Sequence, residues 1–232
     1  MNWSNPLFIN SNWTSEISNR EQKEVAAEQV AKEIKNGDVI GVGSGSTSFL
    51  AIHAIANRIE AEGLSILAIP TSHEVAMACA RLNIPTTSLM AHKPNWAFDG
   101  ADEIDANHRM IKGRGGALFA EKIVMASANK TFILVDPSKF VDRLGEKFPV
   151  PVEVDPRAIH LVETSLKRLG TEEIKLRNAI GKDGPIITEA GNLILDVRFN
   201  QIFDDFERKI KSIPGVIESG LFIGYNVEVI SV

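Results

Sequence analysis

Asp99-Gly-Ala-Asp102-Glu103, Lys112-Gly-Arg-Gly-Gly116 and Glu121-Lys122 gather carboxylates, ammonium groups and a glycine loop into about two dozen residues. Carboxylates give and take protons, and an ammonium group neutralises an oxyanion as it forms. A carboxylate that removes a carbon-bound proton must be close to that carbon and partly shielded from water. Groups that stabilise the resulting oxyanion must lie opposite it. Glu121, about one turn after Gly116, suits the base, and Lys112 with the N–H groups of residues 113–116 suits the electrophile. The plainer reading of Glu121 is a carboxylate favoured by a helix dipole.

Gly43-Ser-Gly-Ser-Thr47 is a second constellation. Between a strand and a helix, its glycines let N–H groups turn towards one point, and its hydroxyls add donors. It lacks the Lys-Ser/Thr pair of a Walker loop and is not a clean GxGxxG. A plain tight turn is the competing reading. With Lys23 or Lys139 as cationic partner, such a cradle fits a phosphomonoester and is too small for a dinucleotide. Asp102-Glu103 also has the chemistry of a Mg²⁺ site. Lysines already supply the positive charge, however, and His53, His73, His92, His108 and His160 are scattered. The expectation is therefore no metal and no cofactor.

These groups need a frame. Ser18-Asn-Arg-Glu21 has capping-box spacing and predicts a helix with Val25, Ala26, Val30 and Ile34 on its apolar stripe. Strands are expected at 39–42, 66–69, 97–98 and 132–135, with helices at 49–59, from 72 to about 82, and at 117–128. This alternation predicts a parallel sheet with helices on both faces and functional loops at the strands' carboxyl ends. After Pro149 the order changes: a helix from Asp155 to about Leu169, a strand at 174–177, a hairpin of 186–189 with 193–197, and a helix at 203–213. The tail, 216–232, is expected to complete the larger sheet. The predicted fold is α/β, a Rossmann-like parallel-sheet domain (1–145 plus 217–232) with an inserted small α+β, ferredoxin-like domain (146–216).

At 232 residues and 44% apolar, the chain can bury a real core, and its net charge of −5 argues against a general nucleic-acid binder. The single cysteine, Cys79, excludes an intramolecular disulfide and fits a reducing compartment. No apolar run is long enough for a membrane, and the first sixteen residues, with Trp3, Phe8 and Trp13, lack the pattern of a secretory signal. A cytoplasmic location follows as the expectation. The arm itself reads either as loose or as packing on a partner subunit.

The chain closely resembles ribose-5-phosphate isomerase of the A type. The resemblance rests on Val42 to Thr47, Pro70-Thr-Ser72, Asp99 to Asp105, Lys112 to Leu118, Glu121-Lys-Ile123, Val135 to Lys139, Phe148 to Val154, Asn192 to Asp196 and Gly215 to Gly224. It covers roughly residues 20 to 232. It implies interconversion of D-ribose 5-phosphate and D-ribulose 5-phosphate without a metal, within the non-oxidative pentose phosphate pathway. It makes Glu121 the base acting between C2 and C1. Asp99, Asp102 and Lys112 handle ring opening and hydroxyl protons. Lys23, Ser46, Thr47 and Lys139 hold the phosphate, and Gly45, Gly113 and Gly115 join them in binding substrate. The partner is a small sugar phosphate, not nucleic acid or membrane, and the assembly implied is a homodimer or homotetramer. Arg114 stands where the family's loop usually has glycine, Ala120 where it often has arginine, and the N-terminus is extended. Two other classes compete. A non-catalytic sugar-phosphate sensor would tolerate loss of the base and would usually carry a DNA-binding helix pair. An acyl-CoA transferase would need an adenine site, and no segment suggests one.

Overall fold

The protein is described by a computed structural model over residues 16–181 and 183–232, so the reading of the N-terminal arm lies outside the described residues. In chain order the elements are α1 (Arg20–Ala31), β1 (Val39–Val42), α2 (Ser46–Glu62), β2 (Leu67–Pro70), α3 (His73–Arg81), β3 (Trp96–Asp99), β4 (Glu103–Ile104), β5 (Met110–Ile111), α4 (Leu118–Ser127) and β6 (Thr131–Val135). There follow β7 (Val150–Val154), α5 (Ile159–Lys167), β8 (Thr171–Leu176), β9 (Leu193–Phe199), α6 (Phe206–Lys211), β10 (Val216–Ser219), β11 (Leu221–Phe222) and β12 (Val227–Ser231). Two compact units share them. The first holds the described residues up to Gly100 with Val124–Ser138 and Asn226–Val232, and the second holds Ala101–Ile123 and Lys139–Tyr225.

The first unit is built on a five-stranded sheet in the order β12-β6-β3-β1-β2, parallel throughout. Its central strands are buried along their length apart from half-buried Val39 at the start of β1, as both-face coverage by helices requires. Val30, Ile34, Ile40, Ile52, Ile55, Phe98 and Leu134 form the main core. Trp96 meets Phe132 edge to face at a centroid distance of 5.5 Å. Cys79 packs in this core, fully buried, and burial pushes its thiol up to about 12.

The second unit carries an antiparallel sheet in the order β10-β7-β9-β8. Its β-α-β-β-α-β succession is ferredoxin-like. Val162 and Leu166 of α5 and Phe206 and Ile210 of α6 share one core with Val152, Val154, Leu195 and Val197 of the sheet. A separate three-stranded sheet, β11-β5-β4, completes the unit.

Four expectations are corrected in detail. The capping box does not form: α1 starts at Arg20 behind Asn19, which is left-handed (φ 52°) and makes no side-chain cap. Asn19 Nδ2 instead donates to Asp136 Oδ1 at 2.9 Å, so a tertiary partner takes the capping residue. Residues 186–189 are not a strand. β9 already has β7 on one side and β8 on the other, and Thr188 is tied into a tight turn with Asn192 and bonded to Glu153. The tail divides, with β10 and β11 entering the sheets of the second unit and only β12 completing the parallel sheet, beside β6. The helix expected at 203–213 is shorter, Phe206–Lys211.

Close approach in the parallel sheet depends on Gly41. A Cβ there would lie 2.4 Å from Val124 Cγ1 and 2.7 Å from Ala97 Cβ. Gly41→Ala is therefore expected to destabilise the protein by about 1–3 kcal/mol through overpacking. Denaturant unfolding measures this, and an unchanged midpoint would contradict it.

Candidate active site

The first unit presents an anion cradle. β1 ends at Val42, and α2 begins at Ser46 behind Gly45, whose φ of 90° only glycine adopts easily. The first turn of α2 leaves its N–H groups free of helical partners. Lys23, on α1 and buried, donates to Ser46 Oγ at 3.1 Å and to Ser18 Oγ at 3.4 Å. Thr47 is buried in the same turn. Lys23, Gly45, Ser46 and Thr47 thus form one group. Asp99, buried at the end of β3, accepts from the Gly100 N–H at 2.8 Å. A Cβ on Gly43 would fall 2.2 Å from the Asp99 carboxyl carbon, so the backbone passes against that carboxylate only because residue 43 is glycine.

The second unit gathers Asp102, Lys112 and Glu121. Lys112 follows β5, and its N–H donates to the Gly220 carbonyl at 2.9 Å. Glu121 stands in the first turn of α4. Both side chains are buried, and Lys112 Nζ lies 3.2 Å from Glu121 Oε2. Asp102 Oδ2 accepts the Arg114 N–H at 3.0 Å. Burial raises the Asp102 pKa; the Arg114 N–H and the charges of Lys112 and Lys139 oppose that rise, while Glu121 adds to it. The result is a carboxyl group that keeps its proton above the ordinary Asp range.

The glycine loop is held open by its sequence and by a clamp. Gly113 has φ 100°, and a Cβ there would lie 2.6 Å from Leu118 Cβ. Gly116 donates to the Gly113 carbonyl at 3.0 Å. Gly115 has open space around it. Arg177 Nη1 donates to the carbonyls of Gly113 and Arg114, each at 2.9 Å, while the same guanidinium pairs with Asp196 through both carboxylate oxygens. Arg114 and Lys139 both stand over the Phe148 ring, at 5.5 and 5.7 Å. Glu103 turns away from Asp102 and accepts the N–H groups of Gly145, Lys147 and Phe148 at 2.6–2.7 Å. Its oxygens are therefore engaged by the 145–148 backbone. Among the described residues no cluster of three or more His, Cys, Asp or Glu side chains has metal-binding geometry.

Several contributors have little local signature. Arg177 and Phe222 are ordinary strand residues in the sequence, yet the first clamps the loop and the second lies beneath Lys112 Nζ (5.5 Å) and Lys122 Nζ (4.6 Å). Lys122 is bound to Glu207, Glu218 and the Leu221 carbonyl at 2.6–3.0 Å. Asp136 accepts the Ser138 N–H in an Asx turn at Asp136-Pro-Ser138, and it holds Asn19 at the head of the helix that carries Lys23.

A family model of Ribose 5-phosphate isomerase A (phosphoriboisomerase A) matches residues 67–232. The chain is 43% identical to Ribose-5-phosphate isomerase A of Methanothermobacter thermautotrophicus over 204 residues, covering 87% of this chain and 89% of that protein. It is similar in structure to ribose 5-phosphate isomerase A of Methanocaldococcus jannaschii, with a TM-score of 0.88 and 43% identity over 91% of this chain and 95% of that one. A D-ribose-5-phosphate isomerase solved in complex with phospho-erythronic acid matches with a TM-score of 0.88 and 38% identity, over 93% of this chain and 96% of that one. The fold and the relatives together define an isomerase of the α/β class. The chain belongs to the ribose 5-phosphate isomerase A family. No helix among the described residues is long and apolar enough to cross a membrane.

The raised pKa of Asp102 has a consequence for stability. The folded state keeps this proton to higher pH than the unfolded chain, so stability falls as pH rises from about 3.8, the ordinary value, through the raised folded value. Asp102→Asn cannot ionise and keeps an acceptor for Arg114. The variant should be more stable than the parent by a margin that opens above about pH 4 and then levels. Denaturant melts of both proteins across pH measure the margin; one independent of pH would refute the assignment.

Proposed function

We propose that this chain interconverts D-ribose 5-phosphate and D-ribulose 5-phosphate through an enediolate, with Glu121 as the general base. The observation that carries the reading is the buried Lys112–Glu121 pair at 3.2 Å, on the far side of a glycine loop from Asp102 in sequence. Glu121 takes the proton from C2 of the open-chain aldose and returns it to C1. The electron pair left at C2 moves to form the C1–C2 double bond, and negative charge grows on the C1 oxygen. The Lys112 ammonium and the N–H groups of Gly113 and Gly115 neutralise that charge. Asp102, with its raised pKa, and Asp99 carry protons between the hydroxyl oxygens and, in ring opening, from the anomeric hydroxyl to the ring oxygen. The first turn of α2, with Gly45, Ser46, Thr47 and Lys23, holds the phosphate, and the family resemblance assigns Lys139 to the same group. The family resemblance adds a cytoplasmic homodimer or homotetramer that works in the non-oxidative pentose phosphate pathway.

The direct test follows ketose formation from ribose 5-phosphate by chelator-treated protein. Turnover is expected, and none at any substrate concentration would end the proposal. Glu121→Gln should bind the phosphate ester and lose turnover by roughly 10²–10⁴-fold, the worth of a positioned acid or base. A folded variant with near-normal kcat would remove Glu121 from the base role. Lys139→Ala should chiefly raise KM, because a phosphate contact serves substrate and transition state alike. A loss confined to kcat would contradict this.

A further inference from the structure

The second unit contains a cavity of about 290 Å³ that none of the isomerase groups line. Three arginines line it, Arg109, Arg143 and Arg198, along with the polar residues Asn200 and Gln201 and one acidic residue, Glu172. Arg109 is already neutralised, by buried Asp105 at 2.7 Å and by Asp204 at 2.6 Å. Arg143 and Arg198 differ. Among the described residues neither has a carboxylate within ion-pair distance. Arg198 is half-buried, and its nitrogens reach only the carbonyls of Gly145 and Lys147, both at the long distance of 3.5 Å.

A half-buried guanidinium with only long carbonyl contacts has unspent hydrogen-bonding capacity and an uncompensated charge. Its rigid fork matches the oxygens of a phosphate or carboxylate, and charge-assisted bonds of this kind are the strong ones. The whole chain carries a net charge of −5, so this local excess of cations is not a reflection of general basicity. The residues come from separate segments: the turn before β5, the 143–145 loop, β8, and the end of β9 with the residues after it. The fold, not a run of basic sequence, assembles them.

We infer that this cavity binds a phosphate dianion, free or as the head of a small phosphomonoester, on Arg143 and Arg198, at a site separate from the residues assigned to isomerisation. The inference does not rest on the isomerase reading. The volume leaves room beyond the phosphate for a small polar remainder, which Asn200 and Gln201 are placed to meet.

The test uses the intact protein at low ionic strength. The backbone amide resonances of Gly145 and Asn200 are followed while inorganic phosphate is added, and in a second arm while ribose 5-phosphate is added. Saturable shifts of both resonances are expected, and the arm with the tighter midpoint identifies the source. The shifts should persist in Ser46→Ala, which weakens the first-unit cradle. They should weaken roughly ten- to a hundredfold in Arg198→Gln, the effect of losing one charged hydrogen-bond partner. Arg143→Gln, at an exposed position, gives the same reading should Arg198→Gln fail to fold. Isomerase kcat should be unchanged in both variants. Resonances that stay still with either ligand, or that move equally in the folded variants, would overturn the inference. So would a dimer that dissociates on Arg198→Gln, since a second copy's carboxylates would then be the true occupant.

Discussion

The second unit is organised around an unfavourable act, the burial of a lysine and a glutamate side by side. Taking each charge from water costs several kcal/mol, and only close approach with support from neighbours offsets it. Lys112 is fixed by its backbone bond to Gly220 and by the Phe222 ring under its ammonium. Glu121 is fixed by the first turn of α4. The next residue, Lys122, pins that turn through Glu207, Glu218 and the Leu221 carbonyl. One strand pair, β5 with β11, therefore locates both charges. Such a pair is poor as a source of stability and good as a means of holding a base near a cation, away from water.

Glycine governs the close approach of backbone to its neighbours in each unit. At Gly43 the backbone passes the Asp99 carboxylate, at Gly113 it passes Leu118, and at Gly220 it lies where a Cβ would come within 2.2 Å of the Lys112 carbonyl oxygen. Each contact places a main-chain segment where a side chain would have kept it away. The loop freedom that glycine brings is then removed by Arg177, which binds two loop carbonyls while Asp196 binds Arg177. Glu103 does the same for residues 145–148 by accepting three of their N–H groups. Permissive backbone and a distant charged clamp together give a loop that is open in shape and fixed in place.

The parallel sheet was legible because strand and helix periods alternate cleanly from Val39 to Val135, and its short strands are mostly apolar. The positions of β10 and β11 were not. Val216 to Phe222 is a β-branched and apolar run that suits any sheet, and only pairing with β7 and β5 decides which. The 186–189 segment failed for the same reason, since a strand pattern says nothing about whether a neighbouring edge is free. Asp99, Asp102, Lys112 and Glu121 stood out through residue type and spacing. Arg177 and Phe222 did not, because their partners in the site lie many tens of residues away in the chain.

Cys79 is the chain's single thiol, and its environment has a practical reach. Enclosed in the first unit's core with its pKa pushed up to about 12, it stays a protonated thiol at neutral pH, shielded from water. Maleimides and iodoacetamides therefore have no native target on the folded protein. A cysteine introduced anywhere on its surface would take up a fluorophore or spin label alone, with no need to remove the natural one.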